Sequence, residues 1–578
     1  MTDASTATVQ SGRLGPHERR ASLDRLRDER FDVVIIGGGI VGCGSALDAA
    51  TRGLKVALVE ARDLASGTSS RSSKLFHGGL RYLEMMEFGL VREALHEREL
   101  MLTRLCPHLA KPVSFLFPLK NRVKDRLYIG AGVAMYDRMG GARSVPAGKH
   151  LTREGALRLV PAFKRDALIG GIVYYDGKMD DARHTMTVAR TAASHGAVVR
   201  TSTQVVDFLK EADRVVGVKV RDIETGEEAD VRGGVVINST GVWTDELQRL
   251  SGGRGRFNVR ASKGVHLVVP RDKIPSESGI ILRTEKSVLF VIPWKAHWIV
   301  GTTDTDWKLD LAHPAATKAD IDYILEHVNE VLAVPLTHDD IEGVYAGLRP
   351  LLAGESEQSS KLSREHAVAQ VAPGLISIAG GKYTTYRVMA ADAVDAAAKD
   401  LPGAVKPSVT ENIPLMGADG YHALVNQVDA LADRFGIHPS RVQHLLDRYG
   451  SRIFEVVATG GDDRSLLEPL PGADEYLQVE ALYATTHEGA LHVEDVLTRR
   501  TRISIETKHR GTETAERVAA IMQGVLGWSD DERRHEVEAY LGRVKAERES
   551  QTKDNDEAAE DERLQAPEVR EGVKSPVA

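Results

Sequence analysis

A run of β-branched residues, Phe31 to Ile36, leads directly into Gly37-x-Gly39-x-x-Gly42 and then into an alanine-rich stretch that reads as a helix. Each glycine has a task. Gly37 permits a tight turn, Gly39 lets the backbone approach a pyrophosphate, and Gly42 lets the helix pack close to the strand with its N-terminal amides facing the anion. The next apolar run, Val56 to Val59, ends in Glu60, a carboxylate able to accept hydrogen bonds from an adenosine ribose. A glycine turn alone is weak, but strand, turn, helix, strand and acid in order specify an adenine dinucleotide. Glu60 argues against a 2′-phosphate, which leaves FAD or NAD ahead of NADP. Cys43, inside the helix, reads as a small packing residue rather than a redox thiol.

The stretch that follows, ARDLASGTSSRSSKLFHGGLRYLE, includes Thr68, Ser69, Ser72 and Lys74. It can wrap a long cofactor with backbone and hydroxyl donors, although the same composition suits a plain surface loop. Further buried strands are expected at Val235 to Asn238, with Gly241 just beyond, and at Leu375 to Ala379, which ends in Gly380-Gly381 before Thr384 and another helix. A second glycine pair suggests a cofactor reaching across the sheet, which favours FAD, and a helix N-terminus there can stabilise negative charge on a reduced flavin.

The elements around these motifs fall into blocks. Residues 255–345 hold several short strands (GVHLVVP, SVLFVIPW, HWIVGTTDT), a pattern of antiparallel sheet. After about Pro402 the apolar residues recur at helical spacing. The fold class expected is α/β: a discontinuous Rossmann-like FAD-binding domain with an inserted antiparallel substrate-binding sheet, plus a C-terminal α-helical domain. The boundaries expected are a mobile lead over 1–29 ending in a short charged helix, the FAD domain over 30–398 with insertions at about 110–165 and 250–342, the helical domain over 403–548, and a tail over 549–578. From Gln551 onward the chain has eight acidic and four basic residues and no aromatic, so disorder is the expectation there.

The 578 residues suffice for several domains. With 75 Lys plus Arg against 83 Asp plus Glu, the net charge of −8 gives no overall basic field, and nucleic acid is not an expected partner. Two cysteines cannot build a disulfide framework, and no signal peptide or membrane-spanning run is visible. His487, Glu488 and His492 lie close together but lack a His-Glu-x-x-His spacing, so no metal site is expected.

Seven ordered motifs, GGGIVGCG, GTSSRSSKLFHGGLRYLE, KGVHLVVP, FVIPW, GTTDT, AGLRPL and GGKYTTYR, together resemble FAD-dependent glycerol-3-phosphate dehydrogenase from about residue 30 to 395. VLTRRTRISIE extends the resemblance more loosely into the C-terminal region. It implies oxidation of sn-glycerol 3-phosphate to dihydroxyacetone phosphate with hydride transfer to FAD and electrons passed to a membrane quinone. It also implies a cytoplasmic protein held peripherally on the inner face of the cytoplasmic membrane. The basic and apolar stretch from Lys120 to Arg143 offers a lipid-facing surface, with a loop and cap helix as the alternative. A homodimer is possible. A soluble oxidase using oxygen, an amino-acid oxidase and a non-catalytic flavin-binding sensor are the competing functions.

Such chemistry needs a cationic clamp, a donor for the carbinol oxygen and a proton acceptor. By resemblance, Arg81 and Tyr82, Arg349, Arg364 and Lys382 lie around substrate and flavin, each with a surface ion pair as the alternative. Thr302 can donate a hydroxyl. His77 and His266 compete as proton acceptor, His266 being slightly preferred, because imidazole titrates near neutral pH and arginine hardly deprotonates. Arg349 and Lys382 complete the expected catalytic set, with Arg349 polarising the hydroxyl oxygen.

Overall fold

The computed structural model describes residues 11–121, 123–140, 144–252, 258–285, 288–352, 366–570 and 573, with the backbone alone at positions 81 and 84. Two sheets dominate it. In the first, Leu375–Gly380, Glu228–Asn238, Arg30–Ile36, Val56–Val59 and Val198–Arg200 run parallel in that spatial order. Val33, Val34 and Ile35 are fully buried, as expected for a central strand covered on both faces. Helix Ile40–Thr51 packs on one face, against helices Asp181–Ser194 and Tyr386–Ala398.

The stretch from Ala197 to Val206 is divided at Ser202, whose φ of +46° ends the parallel strand Val198–Arg200 before the next strand begins. The second half becomes the hairpin Thr203–Glu211 and Arg214–Asp222, joined antiparallel to Glu228–Asn238.

The second sheet is antiparallel apart from one parallel pair, Gly279–Arg283 with Lys111–Leu119. It draws on more of the chain than the expected insertions: Leu75–Phe76, Gly170–Lys178 and Gly343–Leu352 all belong to it. The Phe- and Pro-rich region after Leu109 supplies an inner strand and the helix Lys124–Gly140.

Beyond residue 403 the chain is mainly helical. Its interface with the first sheet is ionic. Every residue of helix Asp181–Ser194 is buried; Arg183 pairs with Glu488, Arg500 holds Asp63 at 2.7 Å, and Arg502 meets Asp180 at 2.8 Å.

Among the described residues, both terminal segments differ from expectation. Within the lead, Pro16–Asp28 is a helix whose Leu23 and Leu26, three apart, pack on the sheet, and Arg19 bonds Asp222 at 2.6 Å. The described part of the acidic tail is folded: helix Asp556–Arg563 is capped by Asn555, and Arg570 is buried on Asp495 at 2.8 Å. What fixes this segment is buried opposite charge, which composition does not reveal.

Candidate active site

A cavity of about 530 Å³ runs between the two sheets. Its lining includes Glu60, Arg62, Gln204 and Trp243, the glycine turn with Gly37, Gly39 and Ser69, and Gly380, Lys382, His266 and Arg349.

Gly37 has φ +109°, and a Cβ on Gly42 would fall 1.9 Å from its carbonyl oxygen. No larger residue fits. Ser69 Oγ accepts the amide of Ile40 at 3.0 Å, capping the first turn of the helix. Glu60 accepts from the amides of Gly38 at 2.6 Å and Arg62 at 2.7 Å, so the same carboxylate that lines the cavity also ties the glycine turn to the second strand. Burial raises its pKa, against those two backbone hydrogen bonds.

Thr68, Ser69, Ser72, Gly241, Gly380, Gly381 and Thr384 all line the cavity. Their hydroxyls are also fastened to the framework: Thr68 donates to the Leu348 carbonyl at 2.6 Å and Ser72 to Asp181 at 2.7 Å. Lys74 departs from its expected place on the cavity wall. It lies behind the wall, fully buried, with Nζ 2.7 Å from Asp181 and 3.0 Å from the Ser70 carbonyl. A buried ammonium needs a carboxylate, and Asp181 supplies it. Burial and Arg502, working against Asp181, bring its pKa down to about 8.

Near His266 and Arg349, two neighbouring strands define one face of the cavity. In Val259–Pro270 against Gly343–Leu352, His266 stands opposite Tyr345, Gly264 opposite Gly347, and Ser262 opposite Arg349. Side chains two apart share a face, so a glycine pair separates the imidazole from the guanidinium. That gap is required: a Cβ on Gly264 would lie 2.5 Å from Arg349 Nη2, and one on Gly347 would lie 2.5 Å from the Arg71 carbonyl oxygen. Arg349 donates from Nη2 to Thr302 Oγ1 at 3.0 Å and lies 3.5 Å from Asp304.

His266 pairs through Nε2 with Ser73 Oγ at 2.9 Å and stacks on Tyr345. Its Nδ1 is buried with no hydrogen-bond partner among the described residues. Burial, with Arg349 and Lys74 adding to it, holds the imidazole well below its usual pKa, so it is neutral with one nitrogen open. His77, Tyr82, Thr302 and Lys382 line the same cavity, Lys382 Nζ standing 3.6 Å from the Tyr82 ring centroid. Thr384 fixes the His77 backbone, accepting its amide at 3.1 Å. Arg81 begins the turn Arg81–Glu84, which follows the cavity-lining Gly79 and Leu80. Arg364 lies outside the described residues.

Tyr345, Ser73, Asp304 and the pair Gly264 and Gly347 were not anticipated. The alternating pattern Ser262-x-Gly264-x-His266 against Tyr345-x-Gly347-x-Arg349 was the available signal. His487, Glu488 and His492 are engaged separately: His487 stacks on Tyr483, Glu488 pairs with Arg183, and His492 sits between Glu224 and Glu536. The thiol of Cys43 is buried and its pKa pushed up, consistent with packing.

A glycine turn, a carboxylate ending the second strand and a cavity continuing to a neutral imidazole and a fixed guanidinium define a dinucleotide-dependent oxidoreductase. Residues 32–387 match the family described as FAD dependent oxidoreductase, and residues 408–533 match the C-terminal domain of alpha-glycerophosphate oxidase. Glycerol-3-phosphate dehydrogenase 2 of Mycobacterium bovis is 66% identical, over 98% of this chain and 96% of that protein. The mitochondrial glycerol-3-phosphate dehydrogenase of Mus musculus is 36% identical, over 90% of this chain and 74% of that protein. Among solved structures, the glycerol-3-phosphate dehydrogenase from Bacillus halodurans complexed with FAD superposes with a TM-score of 0.77 at 29% identity, covering 92% of this chain and 98% of that one. The chain belongs to the FAD-dependent oxidoreductase family and, within it, to the FAD-dependent glycerol-3-phosphate dehydrogenases. Its cofactor is FAD.

Proposed function

We propose that the protein oxidises sn-glycerol 3-phosphate to dihydroxyacetone phosphate and delivers the electrons to a quinone, lying peripherally on the inner face of the cytoplasmic membrane. The names of its relatives support the substrate. The Gly37 to Gly42 turn, Glu60, the hydroxyls of Thr68, Ser69 and Ser72, and the Gly380-Gly381 pair would hold FAD, which would supply the hydride acceptor.

Side chains carry the rest. Loss of hydride from the carbinol carbon turns C–OH into C=O and leaves the hydroxyl proton to be taken up. Neutral His266, with Nδ1 open, takes it, and His77 is the competing acceptor on the same cavity. Arg349 stays charged and polarises the oxygen. Lys382, Tyr82, Thr302 and Arg81 hold the phosphate and hydroxyl groups of the substrate, a role Arg364 shares.

The observation that carries this reading is the shared strand face: His266 and Arg349 open, across a glycine gap, onto the cavity that the glycine turn also lines. The membrane contact rests on exposed apolar side chains at Met86, Phe88, Val123, Leu127 and Tyr128, beside Lys120 and Lys124. No helix among the described residues is long and apolar enough to cross a bilayer.

An anaerobic absorbance spectrum before and after glycerol 3-phosphate tests it. The yellow protein should bleach and recover rapidly with a soluble quinone. Rapid recovery in air with peroxide would make it an oxidase, and a spectrum that never bleaches would overturn the substrate.

A further inference from the structure

The acidic, aromatic-free segment beyond helix Asp530–Ser550 returns to the strands and loops that wall the cofactor cavity and contacts them at three places. Asp556 meets the buried Lys263 at 2.5 Å, and Asp320 meets the same ammonium at 2.6 Å, on the strand that carries His266. Glu560 accepts the amide of Asp310, and Glu568 pairs with His313, so the tail holds the loop whose residues Asp310, Leu311 and Ala312 line the cavity. Arg570 donates through Nε to Ser202 Oγ at 2.8 Å and through both terminal nitrogens to Asp495. Ser202 is the left-handed turn that sends Thr203, Gln204 and Val205 along the cavity wall.

The 202–205 loop lies beside Glu60, Ser202 donating its amide to the Arg62 carbonyl at 2.7 Å and Thr203 to the Glu60 carbonyl at 2.8 Å, and a dinucleotide fold receives the adenosine at that carboxylate. Val573 itself lines the cavity. The charge of Arg62, also on that wall, acts on both His313 and Glu568. Arg570 and Asp495 are both buried, unlike an exposed ion pair that contributes little.

We propose that residues 556–570 and Val573 are part of the cofactor site: a strap that fastens the 202–205 and 310–313 loops together over the adenosine end of FAD. Cofactor retention and tail docking then stabilise each other, since coupling between two binding events is reciprocal. The inference rests on FAD as cofactor and is independent of the substrate and the electron acceptor.

The test is FAD release from diluted holoenzyme, followed by the gain in free-flavin fluorescence, for the parent, Arg570→Gln and a chain ending at Asn555. Arg570→Gln should raise the FAD dissociation constant about tenfold and the truncation should raise it further. Hydrogen exchange across 556–570 should be slower with excess FAD than after dialysis to remove it. A strap that only covers the surface would lower stability equally with and without FAD, so the melting-temperature gain on adding FAD should shrink in Arg570→Gln. FAD affinity within twofold of the parent in Arg570→Gln, or exchange indifferent to FAD, overturns the proposal even if the truncated chain fails to fold.

Discussion

His266 lies face to face on Tyr345, with ring centroids 4.8 Å apart and planes 11° apart, while Lys74 Nζ sits 4.9 Å from the centroid of that same tyrosine. Tyr345 in turn donates its hydroxyl to the Ser72 carbonyl at 2.9 Å. One aromatic ring therefore orients the His266 imidazole against the cofactor loop and lies beside a buried cation that helps keep that imidazole neutral.

Tyr345→Phe keeps the stack and loses only the hydroxyl bond, whereas Tyr345→Leu loses the stack. We expect the leucine variant to slow anaerobic flavin reduction by about a hundredfold, the size of a small misplacement of a reacting group. The phenylalanine variant should stay within about tenfold. Equal rates in the two variants would remove Tyr345 from the positioning of His266.

Arg349→Ala should leave flavin bound while slowing its reduction by roughly 10²- to 10³-fold, as expected for loss of a charge-stabilising donor. Gly264→Ala should act in the same direction through steric displacement, since its new methyl would meet Arg349 Nη2 at 2.5 Å and Thr302 Oγ1 at 2.6 Å. Stopped-flow reduction by glycerol 3-phosphate measures both, and normal reduction in Arg349→Ala would sink its assignment.

The pH dependence of kcat/KM reports groups of the free enzyme. Because burial, then Arg349 and Lys74, hold His266 well below the usual range, its acid limb should fall well below about 6.5, the unperturbed value. A limb centred near about 6.5 would assign proton uptake to another group.

His492 supplies a separate dependence, in stability. Burial and Arg570 oppose its charge, but hydrogen bonds to Glu224 and Glu536 outweigh them and raise its pKa to about 9. A raised base stabilises the fold fully below its unfolded pKa near 6.5 and ceases to do so as pH rises through about 9. The contribution is on the order of 3 kcal/mol at most. Thermal unfolding of the parent should weaken between those pH values, and His492→Gln should be less stable at neutral pH with a flatter profile.

The first sheet was legible because a strand covered on both faces must be apolar throughout: Val33, Val34 and Ile35 announce it, and the glycine spacing at 37, 39 and 42 obeys the steric demands seen in the structure. The substrate wall was only half legible. His266 and Arg349 stood out by residue type, but Tyr345, Gly264 and Gly347 acquire meaning only through strand register, which joins positions about eighty residues apart. Lys74 was expected with its loop around the cofactor because nothing local to a serine-rich loop reveals Asp181, the distant carboxylate that holds its ammonium. The tail was misread for the same reason, since Lys263, Asp495 and His313 are distant partners that no local pattern connects to it.

The strand Val259–Pro270 has a parity. Its even-numbered positions, Ser262, Gly264 and His266, meet Arg349, Gly347 and Tyr345, while odd-numbered Lys263 grips Asp320 and Asp556 on the reverse side. Inserting or deleting one residue upstream of Lys263 would exchange the two faces, presenting an ammonium to the substrate and an imidazole to the tail. Catalysis and the tail's anchorage are thus written in one reading frame of side chains, and neither can be lengthened or shortened without the other.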